Sequence, residues 1–477
     1  MLKAGGTPLA KQLTTLFNNC WHQQNVPEDW KKGLVVKLPK KGNLSDCGNW
    51  RGITLLSVPG KVFCTVLLRR LRDAIDDRLR EEQAGFRNGR SCCDQIFTLR
   101  NIIEQCLEYR YPLHINFVDF KKAFDSVHRE SLWEILKLYG VPTTFVEIFR
   151  SLYQNSMCCV KTTLGNTSYF EVTTGVRQGC VLSPLLFNVA LDFVMRRTTA
   201  EVQEGIPWFR GRLMDLDFAD DIAVFAEDDD KLQRITERLS QEAGNIGLRI
   251  SPEKSKVMCV GIASPRDAIY IGSDRLEVVN SFTYLGSMIA NDGDAETDVR
   301  CRIAKATAIF RRLRPLWTSS SISNNIKLRL YSSIVVPTAM YASETWKAST
   351  SIIRRVNAFH CKCLRQIMRI RYTDHVTNEE VLRRCHSRCL YETVTQRRLR
   401  LAGHILRMPE HRLPRSAMQW TPPGKRTRGR PRNTWRRTLM NDLKVMNISR
   451  QECEEIAQDR QRWKEFVALC AQQHGRN

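Results

Sequence analysis

The sequence predicts an α+β chain, short strands interleaved with amphipathic helices and followed by a helical, basic C-terminal region, and three observations predict it. Two strand-like runs, residues 213–218 and 222–225, flank Ala219-Asp220-Asp221, the pattern of a hairpin with adjacent carboxylates at its tip. Val62, Val66, Leu67, Leu71, Ile75 and Leu79 keep helical spacing, as do Ile96, Leu99, Ile103 and Leu107. Lys+Arg number 74 against 50 Asp+Glu, a formal net charge of +24 over 477 residues, and the natural partner of such a surface is a polyanion, nucleic acid before an anionic membrane.

Taken in order, residues 1–30 read as a helix (Leu13, Leu16, Phe17, Cys20, Trp21) that stops near Pro27. A strand from Gly33 to Leu38 leads into the basic turn that holds Lys40, and Arg51 follows on a second short run; such cations suit phosphates or an ordinary solvated hairpin. Gln83-Ala84-Gly85-Phe86-Arg87-Asn88-Gly89-Arg90 is a Gly-rich basic loop without the spacing of a nucleotide-binding P-loop. The strand-like run 112–118 ends on Asp119, a third carboxylate. A strand end beside a hairpin tip lets Asp119, Asp220 and Asp221 converge on two cations about 4 Å apart, an arrangement suited to phosphoryl transfer. Hard oxygen donors favour Mg²⁺, with Mn²⁺ as the substitute. No stretch has 18 consecutive apolar residues and no apolar core follows Lys3, so neither a membrane span nor a secretion signal is read; the expectation is a nuclear or cytoplasmic protein with reduced thiols among its 17 cysteines.

Thr174-Gly175-Val176-Arg177-Gln178-Gly179-Cys180 is a Gly-rich loop leading into a helix that starts at Ser183, with Pro184 in its first turn. With this segment in place, FVDFKKAFDSV, TTGVRQGCVLSPLLFN, FADDIAVFA, GLRISPEKSKVM and FTYLGS stand in an order and spacing that resembles the reverse transcriptase of non-LTR, LINE-type retrotransposons, over roughly residues 30–346. The resemblance implies a right-hand polymerase of fingers, palm with a ferredoxin-like sheet, and helical thumb. It implies RNA-directed DNA synthesis, in which one cation activates the primer 3′-OH and the other holds the triphosphate. By position, Asp119, Asp220 and Asp221 match the metal-binding triad, Phe124 the steric gate against a ribose 2′-OH, and Lys254 the lysine that protonates pyrophosphate. Lys40 and Arg51 match fingers contacts to the triphosphate, Gln178 and Gly179 the loop under the templating pair, and Tyr284, Leu285 and Gly286 the primer grip. The implied division is 1–110 for the N-terminal and fingers region, 111–290 for the palm, 291–350 for the thumb and 351–477 for the C-terminal region.

The stretch 295–346 reads as helices with apolar positions at Ala304, Ala308 and Leu313 and a basic face of Arg300, Arg302, Lys305, Arg311, Arg312 and Arg314 laid along duplex. His360, Cys361, Cys363, Cys385, His386, Cys389 and His404 lack the usual spacing of a zinc set. Between residues 396 and 440 a dense run of arginines faces a single acid, Glu410. Inside that run Lys425, Arg426, Arg428, Arg430 and Arg432 lie on an extended segment whose Arg-Gly-Arg-Pro core resembles an AT-hook, with nuclear import or sequence-independent RNA binding as alternatives. The expected partners are an RNA template, a DNA primer, deoxynucleoside triphosphates and target DNA, with no membrane. Elements of this kind carry an endonuclease, and none precedes residue 30, so the expectation is extension of a supplied primer without cutting of intact duplex. The alternative function is an inactive or recruited element copy that binds RNA or DNA.

Overall fold

The computed structural model describes residues 4–40, 42–200, 204–209, 211–261, 267–426 and 428–474. At its centre is a five-stranded sheet in the spatial order Glu277–Val278, Lys256–Val260, Leu113–Val118, Asp221–Ala226, Asp215–Phe218. The three inner strands and the outer Asp215–Phe218 pair antiparallel, and only Glu277–Val278 runs parallel to its neighbour. Both faces are covered, which is why all six residues of Leu113–Val118 are buried. Side chains alternate between two cores. Ile222, Val224, Ala226 and Val257 meet Leu186, Leu232 and Ile235 of the helices Ser183–Thr199 and Asp229–Gly244, whereas Ala223, Phe225, Ile115, Phe117 and Met258 meet Ile96, Leu99 and Ile103 of the helix Cys92–Tyr109. This is the palm.

The fingers sheet is built on Lys32–Pro39, flanked by antiparallel Trp50–Leu55 and parallel Met157–Thr162. The N-terminal helix spans Gly6–Gln23 and sets Trp21 edge-on against Phe145, with ring centroids 4.8 Å apart. It stops before Pro27, as its sequence predicts.

The helix Glu296–Arg312 lies in the stretch expected as the thumb, and its buried residues are Asp298, Val299, Arg302, Ala306 and Phe310; Ala304 and Ala308 are exposed, so the apolar stripe lies on a different face from the predicted one. Arg302 also leaves the predicted nucleic-acid face. Its guanidinium lies 4.2 Å over the Tyr341 ring and donates to the Gly286 carbonyl, while Arg300, Lys305, Arg311, Arg312 and Arg314 stay exposed. One apolar cluster runs from Ala295 to Val394, so the thumb and the first helices after residue 350 share a core. The remaining C-terminal helices close on the palm from behind. Trp435 meets Phe97 edge-on at 4.6 Å, its backbone N–H donates to Glu104 (2.8 Å), and Arg437 pairs with Glu108. The helix Cys92–Tyr109 is therefore buried on both sides, palm sheet in front and C-terminal helices behind, and it keeps acids inside because basic partners arrive from the far end of the chain.

Candidate active site

Phe218 pairs with Asp221, so the hairpin turn is Ala219-Asp220 and Asp221 is already the first residue of the next strand, one residue tighter than the sequence reading. Two residues suffice because Ala219 adopts φ +55°, a left-handed conformation that costs a non-glycine residue about 1–2 kcal/mol. The brace that holds it is Gln83, whose residue is wholly buried. Its Oε1 accepts the N–H groups of Ala219 and Gly85 (both 2.8 Å), and its Nε2 donates to the Ala219 carbonyl (3.3 Å). Gly85 presses on the turn so closely that a Cβ there would sit 2.1 Å from the Ala219 nitrogen. The adjoining backbone extends the sheet, with Ala84 N–H donating to Asp217 O and Asp217 N–H to Glu82 O. Below the turn, Arg80 spans Asp215 (2.8 and 3.0 Å) and Asp217 (2.7 Å); burial and then Asp215 push the Asp217 carboxyl well above the ordinary range, against the pull of Arg80.

The Gly-rich loop of residues 83–90 is thus a buttress for the carboxylate turn. Its arginines are spoken for, Arg87 by Asp76 and three carbonyls and Arg90 by Glu81. Phe86 reaches outward, at φ +56°, edge-on to Phe124 with centroids 6.5 Å apart. The sequence signal was the Gln-Ala-Gly-Phe run itself, a glycine where backbone meets backbone.

Asp119 reaches the same place along the central strand. Val118 pairs with Ile222, so Asp119 stands one residue beyond the ladder, level with Asp221. Its peptide is gripped by two serines the sequence reading passed over: its N–H donates to Ser255 Oγ (3.1 Å) and its carbonyl accepts from the Ser251 N–H (2.8 Å). The turn between those serines lays Lys254 Nζ 3.4 Å from Asp119 Oδ1. Partial enclosure, then Asp220 and Asp119, push the Asp221 carboxyl up to about 6. Asp220 is raised too, by enclosure first and Asp119 next, with Arg51 and Lys254 pulling the other way. The three carboxylates feel one another but are spread more widely than a single-ion cluster with all donor atoms within 4.8 Å. Hard oxygen donors that enclosure first and mutual repulsion next make harder to ionise at Asp220 and Asp221 fit divalent cations, which would relieve that repulsion.

Phe124 is half-buried and stacks on Phe187 at 4.5 Å, and its carbonyl accepts the Val176 N–H (2.7 Å). The loop carrying Gln178 and Gly179 is thereby tied to Phe124 on one side and to the fingers on the other, where Thr54 N–H donates to Gln178 O (2.7 Å). Gly179, at φ +116°, lies against the Thr54 carbonyl, 2.4 Å from where a Cβ would be. Arg51, on the strand Trp50–Leu55, and Lys40, just past the strand Lys32–Pro39, are exposed, and their charges reach Asp220 and Asp125 respectively. Tyr284 is buried under the palm, its hydroxyl donating to Leu216 O (3.2 Å), and Leu285 and Gly286 form the tip of the hairpin Ser281–Tyr284 with Ser287–Ala290.

Lys425, Arg426, Arg428, Arg430 and Arg432 lie far from the aspartates. Arg426, Arg428, Arg430 and Arg432 line a cleft of about 340 Å³ with Glu108, Arg110 and Gly261, at the end of the central sheet away from Asp119. The described part of residues 421–433 has neither helix nor strand and hangs between Trp420, stacked on Trp208 at 5.1 Å, and Trp435. Other arginines of that run turn inward, Arg398 to Asp442, Arg437 to Glu108 and Arg412 to Glu81, which corrects the reading of the whole run as a displayed cationic surface. His360 uses Nδ1 on Tyr331 (2.9 Å) and Nε2 on Ser387 (3.0 Å), and burial lowers it to about 4.

The chain is 24% identical over 345 residues to the "Retrovirus-related Pol polyprotein from type-2 retrotransposable element R2DM" of Drosophila melanogaster, covering 70% of this chain and 31% of that one. It is 27% identical over 372 residues to the "Probable RNA-directed DNA polymerase from transposon X-element" of the same fly, covering 74% and 39%. The chain spans well under half the length of these curated relatives. Among solved structures, telomerase from Candida albicans aligns with a TM-score of 0.46 at 11% identity, covering 78% of this chain and 68% of that one. Residues 38–289, just over half of the chain, match the family model described as reverse transcriptase (RNA-dependent DNA polymerase), and the chain belongs to that family.

Proposed function

We propose that this chain is the RNA-directed DNA polymerase of a non-LTR retrotransposon, adding deoxynucleotides to a DNA primer on an RNA template. The observation that carries the reading is the meeting of Asp119 with Asp220 and Asp221 at one end of the central sheet, on a turn strained and braced to present them. These three would hold Mg²⁺, two ions, with Mn²⁺ as substitute; bound there, the metal supplies an activated primer 3′-OH and neutralises charge on the triphosphate. The protein does the rest by position. Arg51 and Lys40 meet the triphosphate from the fingers, and the Gln178-Gly179 loop, stapled to Thr54 and Phe124, keeps fingers and palm in register under the templating pair. The Lys254 ammonium, beside Asp119, donates a proton to departing pyrophosphate. The Tyr284-Leu285-Gly286 hairpin seats the primer end, and target DNA is the substrate for insertion, in nucleus or cytoplasm. Extension of a labelled DNA primer on an RNA template with Mg²⁺ and deoxynucleotides tests this; tight template binding with no extension would make the chain an RNA- or DNA-binding copy instead.

Three outcomes are expected. Gly85→Ala should slow incorporation about 100-fold, because its Cβ must push the Ala219-Asp220 turn by the order of 1 Å; primer affinity should stay put, and an unaltered rate would show that the turn yields freely. Phe124→Val should admit ribonucleotides, since a ring stacked on Phe187 and flanked by Phe86 fills the space a 2′-OH needs; the ratio of deoxy to ribo incorporation measures it, and an unmoved ratio leaves Phe124 as core. Changing Lys425, Arg426, Arg428, Arg430 and Arg432 together to Ala should weaken nucleic-acid binding and flatten its salt dependence by about 0.9 in slope per lost phosphate contact. Single-nucleotide addition at saturating primer-template should survive, because the segment lies at the opposite end of the palm from Asp119.

A further inference from the structure

Among the described residues, the three metal-ligating side chains whose donor atoms all fall within 4.8 Å of one another are not the aspartates of the cleft but His114, Asp229 and Cys259, all buried. Their meeting is set by the fold. His114 and Cys259 are directly opposed partners in the antiparallel ladder between the two central strands, so both side chains lie on one face of the sheet. Asp229 opens the helix Asp229–Gly244, which packs on that face. Cys259 Sγ is 3.6 Å and Asp229 Oδ1 2.8 Å from the same atom, His114 Nδ1. One ring N–H cannot point at both. If it serves the carboxylate, the thiol faces a nitrogen that is already engaged; a cation held between nitrogen, oxygen and sulfur satisfies all three.

The donor set names the ion. With Zn–N near 2.0–2.1 Å and Zn–S near 2.3 Å, a tetrahedral site places nitrogen and sulfur about 3.6 Å apart, as here, and nitrogen and oxygen about 3.3 Å apart, which asks a swing of roughly 0.5 Å from the carboxylate. Thiolate and imidazole disfavour Mg²⁺ and Ca²⁺ and suit zinc. We propose that His114, Asp229 and Cys259 hold a zinc ion, with a solvent molecule as fourth ligand. Binding releases the Cys259 thiol proton to water and involves no redox change. His114 is the second residue of the strand Leu113–Val118 that leads to Asp119, and the ion would pin the far end of that strand to its neighbour and to the helix behind.

The test does not depend on polymerase activity. Full-length protein prepared with zinc present and then dialysed should carry about one zinc per chain by elemental analysis. Replacement by Co²⁺ should give thiolate-to-cobalt charge-transfer absorption, read on the unaltered protein. Cys259→Ser should abolish that absorption, and His114→Gln should weaken Co²⁺ binding by at least about tenfold. Asp119→Asn with Asp220→Asn should leave both intact. Less than about 0.1 zinc per chain in the parent protein would overturn the site. So would absorption that persists in Cys259→Ser, or metal lost only on replacing Cys361 or Cys385.

Discussion

Replacing Asp220 with Asn is expected to cut nucleotide incorporation by at least about 10³-fold, a barrier increase of about 4 kcal/mol, while the metal-free protein becomes no less stable. Activity falls because a carboxylate at the turn is lost where cations must be held. Stability does not fall because Asp220 is a source of strain: enclosure is the larger cause, and Asp220 and then Asp119 add to it in pushing the Asp221 carboxyl up to about 6. The direction of the pH dependence follows. A carboxyl whose folded value is raised binds its proton more tightly in the fold than in the open chain, so its contribution is most favourable below about pH 4 and declines as pH rises through about 6. In chelator-containing buffer the parent should therefore lose thermal stability across that window, and Asp220→Asn should lose less. Calorimetry at the two ends of the window measures this, alongside primer extension. Extension that survives in Mg²⁺ would remove Asp220 from the metal site, and identical pH dependence in both proteins would clear it of the repulsion.

Arg398→Met should be the most damaging single change to stability, at about 3–5 kcal/mol. Arg398 is wholly buried, donating to Asp442 at 2.7 and 3.2 Å, to Thr395 at 3.2 Å and to Tyr391 at 3.4 Å. Methionine fills much of the volume but leaves the Asp442 carboxylate inside without its cation, and that desolvation dominates. The double change Arg398→Met with Asp442→Leu should recover most of the loss, since a packed apolar pair often equals a buried ion pair. Denaturant unfolding of the single and double variants decides it. A single variant that unfolds with the parent would mean water reaches Asp442.

The same arginine shows where sequence reasoning stops. Alternating apolar residues made the central strands legible, and the order of the motifs placed Asp119 against Asp220 and Asp221. The run from residue 396 to 440 looked like one cationic surface because its single acid was all that lay nearby. Its partners come from elsewhere, Asp442 from a later helix and Glu108 from 329 residues upstream. Pairing at such separation leaves no local pattern. Gln83 was illegible for a similar reason: a glutamine in a Gly-rich loop reads as solvated until the fold brings Ala219 to it. Arg302 sat on a basic helix face, and only the arrival of Tyr341 and the Gly286 carbonyl turned it inward.

The double-sided burial of the helix Cys92–Tyr109 bears on how this chain can be cut down. A fragment ending where the family match ends, at residue 289, would keep every proposed catalytic residue and lose the wall behind that helix. Phe97 would be stripped of Trp435, Glu108 of Arg437, and an apolar flank would meet water directly behind the sheet that holds Asp119. The motif-bearing segment is therefore not a separable module. The C-terminal helices serve as its back plate, and a fragment that keeps this packing has to retain the chain at least through Cys470.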